Sequence, residues 1–200
     1  MDLRPLGIEG VFELTPRQHG DDRGVFLEWF RADTFRAATG HDLSLAQANC
    51  SVSMAGVVRG IHYAEVPPGQ AKYVTCIAGA VFDVAIDLRV DSPTFGQWEG
   101  VVLDDVERRA MYLADGLGHA FMSLDDGSTV VYLCSTPYSP TAEHALDPFD
   151  PRIGIAWPTH DRDGQPLTLS MSPRDAAAPA LQDALDRGAP PLPRLQPAPS

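Results

Sequence analysis

Phe82-Asp83-Val84-Ala85-Ile86-Asp87-Leu88-Arg89 is the stretch that decides the fold class. Its apolar residues Phe82, Val84, Ile86 and Leu88 take every second position, and Asp83, Ala85, Asp87 and Arg89 stand between them. A period of two is typical of a β-strand, whose side chains alternate between two faces. We therefore predict a strand here, paired as a hairpin with the stretch that begins at Tyr73, across a turn at Ala78-Gly79.

Short apolar runs of the same kind recur along the chain, with Gly-, Asp- or Pro-containing turns between them. They cover 8–15, 24–30, 44–53, 98–103, 111–113, 120–124 and 129–134. Strands spaced by about 8–12 residues favour a sandwich or barrel over a doubly wound α/β fold. Only two short helices are predicted, over 32–39, where Gly40 supplies a C-cap, and over 176–186.

Composition limits the function classes. The chain has 200 residues, 44% of them hydrophobic, and a formal net charge of -12. Such a charge argues against a nucleic-acid surface, so an anionic ligand needs a local cluster of basic residues. No run approaches the roughly 18 apolar residues of a membrane span, and the N-terminus lacks a signal-peptide pattern.

Cysteine usage and terminal composition complete the outline. Three cysteines without CxxC spacing predict free thiols and a cytoplasmic protein. We expect one domain over 1–187. Residues 188–200 contain five prolines and are expected to form a flexible tail.

The segment Arg59-Gly60-Ile61-His62-Tyr63 continues into Pro67-Pro68-Gly69-Gln70-Ala71-Lys72-Tyr73 and combines a guanidinium, an imidazole and an ammonium. Lys72 is the only lysine of the chain, whereas the other 14 basic residues are arginines. A lysine offers a compact charge with an adjustable pKa, which an arginine does not. A lone lysine also arises by chance in an arginine-biased chain, and the neighbouring His62 favours a functional role.

Other histidines and tyrosines are weaker candidates. His119, like His62, lies in a strand-like, glycine-flanked context and is expected to face a cavity, although a buried structural role fits it equally well. Neither histidine belongs to an HxH or HExxH pair, so no metal site is predicted. Tyr132 and Tyr138 are possible proton donors, with core packing an equal alternative for Tyr132.

Several blocks together resemble the dTDP-4-dehydrorhamnose 3,5-epimerase family. They are the two segments around His62 and Lys72 just quoted, together with 82–89, 92–96 and Gly154-Ile155-Ala156-Trp157-Pro158. The resemblance extends from Arg23 to about Asp175 and implies an all-β, cupin-type double-stranded β-helix (jelly roll) with short peripheral helices. It also implies an isomerase that works as a homodimer, without metal or organic cofactor, on a dTDP-linked 4-keto-6-deoxy sugar.

The resemblance implies catalytic roles for four residues. His62 resembles the base that removes a proton next to the ketone, and Asp175 the carboxylate paired with it. Tyr138 resembles the acid that reprotonates from the opposite face. Lys72 resembles the cation beside the developing enolate oxygen.

The resemblance also implies a set of substrate-binding residues. Arg23, Gln47 and Arg59 resemble groups that hold the diphosphate. Phe26 and Glu28 resemble groups near the nucleotide, partly from the other subunit. Asn49, His119 and Tyr132 complete the expected site.

One stretch departs from the family pattern. The usual Pro-Pro-Gly-Phe-Ala-His-Gly-Phe is replaced by residues 114–121, Ala-Asp-Gly-Leu-Gly-His-Ala-Phe. This resembles relatives from antibiotic-sugar pathways and leaves open whether C3, C5 or both carbons are inverted; double inversion is the family default. A metal-dependent cupin enzyme and a non-catalytic sugar-binding jelly roll are the remaining alternatives.

Overall fold

The structure is a computed structural model that describes residues 1–187 and Pro193. Most of the regular structure is strand. The elements, in chain order, are β1 (Asp2–Pro5), β2 (Val11–Thr15), β3 (Gln18–Asp21), β4 (Gly24–Leu27), α1 (Ala32–Thr39), β5 (Gln47–Ser53), β6 (Val58–Ala64), β7 (Lys72–Ala78), β8 (Ala80–Asp87), β9 (Trp98–Asp104), β10 (Ala110–Leu113), β11 (Leu117–Ser123), β12 (Ser128–Cys134), β13 (Glu143–Ala145), α2 (Pro173–Ala176) and α3 (Leu181–Arg187).

Two antiparallel sheets form the body of the protein. The six-stranded sheet has the order β1-β2-β10-β7-β12-β5, and the five-stranded sheet has the order β13-β6-β11-β8-β9. Strands β3 and β4 form a separate two-stranded ribbon. The prediction of an all-β, cupin-type jelly roll with short peripheral helices is confirmed.

The space between the two sheets holds the main apolar core. Val74 and Val130 of the six-stranded sheet meet Leu103 and Phe121 of the five-stranded sheet there. The outer faces are also covered: α1 packs Phe35 onto the six-stranded sheet, and the chain from Leu146 to α3 packs onto the five-stranded sheet. Both sheets are thus buried on two sides over much of their area.

The predicted hairpin between Tyr73 and Arg89 is wrong. Strand β7 belongs to the six-stranded sheet and β8 to the five-stranded sheet, and the chain crosses between them at Gly79, whose φ of 72° suits glycine. Alternation identified the strand but not its partner, because pairing depends on what covers each face. The apolar side of β8 packs outward, against the C-terminal segment, and Asp83 points into the space between the sheets.

Predicted helices agree in part with the structure. Helix α1 has the predicted bounds and ends at Gly40 in the left-handed conformation. The helix predicted over 176–186 is shorter, since α2 ends at Ala176 and α3 begins at Leu181. Residues 188–200, expected to form a tail, lie outside the described residues except for Pro193. Among the described residues, no helix has the length and hydropathy needed to cross a bilayer.

Candidate active site

A cavity of about 420 Å³ opens between β6 and the segment that precedes α2. Arg59 and His62 of β6 form one side of it, and the segment from Ser170 to Asp175 forms the other. This segment is fixed to the sheet because the backbone N–H of Val58 donates to the carbonyl of Ser170 at 2.8 Å. The cavity is therefore lined by residues from the middle of the chain and from its C-terminal part.

His62 and Asp175 form a hydrogen-bonded pair in this cavity. The distance from Nε2 of His62 to Oδ1 of Asp175 is 2.7 Å, with side-chain exposures of 34% and 5%. The hydroxyl of Ser172 caps α2 by accepting the backbone N–H of Asp175. A carboxylate accepts the proton of Nε2, so Nδ1 of the neutral imidazole is left as the base.

The environment of Asp175 keeps its carboxylate charged. Burial favours the neutral acid, but hydrogen bonds from His62 and Ser172 outweigh burial and hold the pKa of Asp175 below its ordinary value. The pair thus combines an ionised carboxylate with an accessible imidazole, the arrangement expected of a general base with its orienting group.

A second histidine–carboxylate pair lies beside the first. His119 of β11 is the register partner of His62 on β6, and directly opposed residues project from the same face of a sheet. Nε2 of His119 contacts Oδ1 of Asp83 at 2.8 Å, and both residues are buried. The close approach of β6 and β11 requires Gly60, since a Cβ there would lie 2.5 Å from the carbonyl oxygen of His119.

Lys72 enters from the opposite sheet. It begins β7, is buried, and has Cys134 as its register partner on β12. Burial lowers the pKa of Lys72, while Cys134, Glu143 and Asp83 act in the opposite direction. The structure therefore places the single lysine inside the barrel, as expected of a residue with a local electrostatic role.

Tyr132 and Asn49 are register partners on β12 and β5. Tyr132 packs against the core between the sheets, and burial raises its pKa. Asn49 accepts a hydrogen bond from Gln47 at 2.8 Å and donates to the sulfur of Cys134 at 3.6 Å. These predicted residues therefore line the same interior as Lys72.

Tyr138 lies at the surface. Its side chain is 49% exposed, and its hydroxyl accepts a hydrogen bond from Arg174 at 3.4 Å. Its backbone N–H donates to Oε1 of Gln47 at 2.8 Å. Tyr138 is therefore tied to the rim of the site, in contrast to the more interior Tyr132.

Three predicted residues lie on or next to the exposed β3–β4 ribbon. Arg23 pairs with Asp21 on the exposed β3–β4 ribbon, Phe26 is 72% exposed, and Glu28 is exposed just after β4. They do not line the cavity that holds His62. Within one chain, the structure does not bring these residues together with the histidine pair.

Arg174 and Glu143 belong to the site but were missed by the sequence analysis. Arg174 lines the cavity and also donates to the backbone carbonyl of Glu143 at 3.3 Å. Oε1 of Glu143 accepts from Gln70 at 3.1 Å. The position of Arg174 directly before Asp175 could have indicated that it belongs to the site. Glu143 stands in an irregular segment of the sequence that gave no such indication.

The fold and these pairs define a jelly-roll enzyme with two histidine–carboxylate pairs, whose interior also holds a lysine and a tyrosine. A family model described as dTDP-4-dehydrorhamnose 3,5-epimerase matches residues 5–183. A "dTDP-4-dehydrorhamnose 3-epimerase" of Streptomyces niveus is 58% identical over 94% of this chain and 87% of its own length. The chain therefore belongs to the dTDP-4-dehydrorhamnose 3,5-epimerase family, and the predicted family and isomerase class are confirmed.

Two solved structures extend the comparison. A 4-keto-6-deoxy sugar epimerase from the novobiocin gene cluster of Streptomyces spheroides has a TM-score of 0.89 and 57% identity, over 97% of this chain and 93% of that one. A double mutant of a 3'-monoepimerase from Streptomyces bikiniensis, in complex with dTDP, has a TM-score of 0.88 and 49% identity, over 96% and 92%. The predicted likeness to antibiotic-pathway relatives is confirmed.

The charge on Asp175 gives a testable pH dependence. Asp175→Asn should lower the free energy of unfolding by about 1.5–3 kcal/mol at pH 7, because hydrogen bonds to a charged acceptor are lost. The folded pKa of Asp175 is depressed, so its stabilisation is complete above the unfolded pKa and disappears as the pH falls through the folded pKa. Denaturant titrations at pH values between about 3 and 8 should show this gap closing at low pH.

The matched control is Asp163→Asn, which replaces an exposed aspartate in a polar loop. It should change the free energy of unfolding by less than about 0.5 kcal/mol at every pH. A difference between wild type and Asp175→Asn that stays constant with pH would contradict the charged state assigned to Asp175.

Proposed function

We propose that this protein epimerises a dTDP-linked 4-keto-6-deoxyhexose through an enolate. It inverts C3, and the deuterium experiment described below decides whether it also inverts C5. The observation that carries the proposal is the His62–Asp175 pair on the wall of a cavity. In the same jelly roll, Lys72 is buried and Tyr132 packs against the core between the sheets. The relatives reported above are named as 3-, 3,5- or 4-keto-6-deoxy sugar epimerases. C3 inversion is shared by the activities whose carbons are named.

The chemistry needs a base on one face of the sugar and an acid on the other. Nδ1 of His62 takes the proton from carbon, and the electron pair moves into an enolate whose oxygen was the C4 ketone. The ammonium of Lys72 stabilises that oxygen, an effect worth about 3–4 kcal/mol for a preorganised donor. Protonation of the same carbon from the opposite face restores the ketone with inverted configuration, and exchange with water resets both groups.

We assign the acid to Tyr132 in place of Tyr138. Tyr132 lies on the sheet opposite His62, and burial keeps its phenol protonated by raising its pKa. In the 3'-monoepimerase double mutant, one histidine and one tyrosine were each replaced by another residue. The number of residues between those two positions equals that between His62 and Tyr132. We assign Tyr138, at the exposed surface beside Arg174, a contact with the nucleotide end of the substrate instead.

Phenylalanine substitutions separate the two tyrosines. Tyr132→Phe should lower kcat by about 10²–10⁴-fold with little effect on dTDP binding, because only the positioned proton donor is removed. Tyr138→Phe is the matched control and should keep kcat within about tenfold of wild type, with its main effect on KM. His62→Asn should behave like Tyr132→Phe. Steady-state kinetics and calorimetric titration with dTDP measure both quantities.

The opposite result would return the acid role to Tyr138. If Tyr138→Phe lost turnover while Tyr132→Phe kept it, the assignment made from the sheet geometry would be wrong. If His62→Asn kept wild-type turnover, the base would have to be another group.

Deuterium incorporation tests the reaction itself and decides which carbons react. dTDP-4-keto-6-deoxyglucose, incubated with the enzyme in D₂O, should acquire deuterium at C3, because the proton returned to carbon comes from a solvent-exchanged acid. NMR of the product reads each position. Deuterium at C5 as well establishes double inversion, and its absence at C5 establishes a 3-epimerase. Substrate that binds but acquires no deuterium would overturn the proposed reaction and leave a sugar-binding protein.

We assign the diphosphate to Arg59 and Arg174, neither of which forms an ion pair with a carboxylate in the part of the chain that the structure describes. Arg59 donates to the hydroxyl of Ser53 and to the carbonyl of Val52, and Arg174 donates to neutral oxygens as well. Charge-assisted hydrogen bonds from guanidinium groups to phosphate are strong and directional. Gln47, at the same rim as Tyr138, adds a neutral contact.

We further propose that the enzyme is a homodimer in the cytoplasm and that the β3–β4 ribbon completes the partner's site. Arg23 and Phe26 are exposed on this ribbon, away from the cavity of their own chain. An exposed aromatic suits a nucleotide base, and the exposed guanidinium of Arg23 would exchange its ion pair with Asp21 for a phosphate. Free thiols at all three cysteines are consistent with a reducing compartment.

Mixed dimers test the exchange of ribbons. Arg23→Glu and His62→Asn should each be poorly active alone. After equal amounts of the two variants are unfolded together and refolded, about half of the dimers are mixed, and each mixed dimer contains one site with both wild-type residues. About a quarter of all sites, and so about a quarter of the wild-type activity, should therefore be recovered. A mixture that stays as inactive as its parents would show that each ribbon serves its own chain or none.

A further inference from the structure

Ser51 carries a buried hydroxyl that the reaction described above does not use. It lies in the middle of β5, and its side-chain oxygen is buried without a hydrogen-bond partner among the described residues. A buried polar group without a partner is costly, and native proteins keep few of them. The surroundings of this hydroxyl indicate what it could bind.

The other polar residues on the same face of β5 are hydrogen-bonded. Alternate residues of a strand project to one side, so Ser51 shares its face with Gln47, Asn49 and Ser53. Gln47 donates to Oδ1 of Asn49 at 2.8 Å. The hydroxyl of Ser53 accepts from Nε of Arg59 at 3.1 Å. Ser51 is therefore the exception in a polar row that faces the interior.

Ser51 lies between the arginine assigned to the diphosphate and the tyrosine assigned as the acid. On one side, Arg59 contacts Ser53, two residues further along the same face. On the other side, Tyr132 of β12 is the register partner of Asn49, which makes it the diagonal neighbour of Ser51. Diagonal neighbours on one face lie about 7–8 Å apart, within reach of an aromatic side chain.

The order of these groups matches the order of atoms in the proposed substrate. C1 of the hexose carries the diphosphate, C2 carries a hydroxyl, and C3 is the carbon that Tyr132 reprotonates. The hydroxyl on C3 changes sides when that carbon is inverted, and the C4 oxygen is assigned to Lys72. The C2 hydroxyl keeps its configuration throughout, so one fixed group can hold it in the substrate, the enolate and the product.

We propose that Ser51 is a specificity-determining residue whose hydroxyl binds the C2 hydroxyl of the hexose, so that the enzyme selects 2-hydroxy over 2-deoxy sugars. The inference rests on the proposed epimerisation, because it uses the places assigned to Arg59 and Tyr132. Ser51 as a whole is half-buried, and rotation about its single side-chain torsion turns the hydroxyl without moving the strand. A serine hydroxyl both donates and accepts, which suits a sugar hydroxyl.

Two substrates that differ only at C2 test the proposal: dTDP-4-keto-6-deoxyglucose and its 2-deoxy analogue. Deuterium incorporation at C3 in D₂O gives kcat/KM for each. The wild type should prefer the 2-hydroxy substrate by about tenfold, the size expected for one neutral hydrogen bond. Ser51→Ala should lose about tenfold with that substrate and less than about twofold with the analogue, so that the preference disappears.

Three measurements control the result. Ser44→Ala removes a hydroxyl from an exposed position before β5 and should change neither value. Calorimetric titration with dTDP, which lacks the hexose, should give Ser51→Ala the affinity of the wild type. Without ligand, Ser51→Ala should unfold at the same denaturant concentration as the wild type or a higher one, because no described hydrogen bond is lost. Ser53→Ala, which removes a partner of Arg59, should unfold at a lower concentration.

Several outcomes would overturn the proposal. Equal losses with both substrates would make the role of Ser51 structural, and weaker dTDP binding by Ser51→Ala would place its hydroxyl at the diphosphate. A lower unfolding midpoint for Ser51→Ala would show that the hydroxyl is already hydrogen-bonded in the free protein. A wild type without preference would exclude a contact with the C2 hydroxyl. Failure of the proposed reaction is seen separately, as wild-type enzyme that introduces no deuterium into either substrate, and it would remove this inference as well.

Discussion

A carboxylate from the C-terminal part of the chain fixes the imidazole on which the site depends. His62 and Asp175 are 113 residues apart, and their hydrogen bond forms only because the segment before α2 is paired with the chain around β6. Backbone hydrogen bonds link Ser170 to Gly56 and Val58, and Ser172 then caps the helix that carries Asp175. The His62–Asp175 pair therefore depends on the packing of the long connection from β13 to α2 onto the five-stranded sheet.

The interior of the jelly roll changes from apolar to polar along its strands. On β7, Val74 and Cys76 belong to the apolar core, whereas Lys72 lies at the polar end. On β12, Val130 is apolar core and Cys134 stands opposite Lys72. The apolar end supplies the burial that stabilises the fold, and the polar end can hold charged groups because each has an oppositely charged or hydrogen-bonding neighbour.

Local pattern was sufficient for most elements. The alternation in β8 and the glycine after α1 are local signals, and they predicted the elements correctly. The assignment of β7 and β8 to different sheets was not predictable in this way, since a strand covered on both faces gives the same alternation as one arm of a hairpin. Family resemblance, and not periodicity, pointed to Asp175.

The residues that were missed acquire their place only through tertiary structure. Glu143 reaches the site because its strand, β13, pairs with β6. Strand β13 has only three residues, too few for a periodic pattern to reveal it. Arg174 becomes part of the cavity because α2 turns it toward Tyr138. For His119 the sequence left open a cavity role and a buried structural role, and the structure shows it buried and hydrogen-bonded to Asp83. The sequence gave no sign of this partner, since Asp83 looked like the polar face of an ordinary strand.

The pairing of the arginines bears on the proposed binding of a diphosphate by a protein with a net charge of -12. Away from the cavity, Arg89 and Arg162 are paired with aspartates, so their charges are locally cancelled. At the cavity, Arg59 and Arg174 donate to neutral oxygens, and no described carboxylate forms an ion pair with either. The cavity therefore presents two guanidinium groups without a described ion-pair partner, where an anionic ligand could bind. Net charge describes the protein as a whole, but binding depends on which charges remain unpaired.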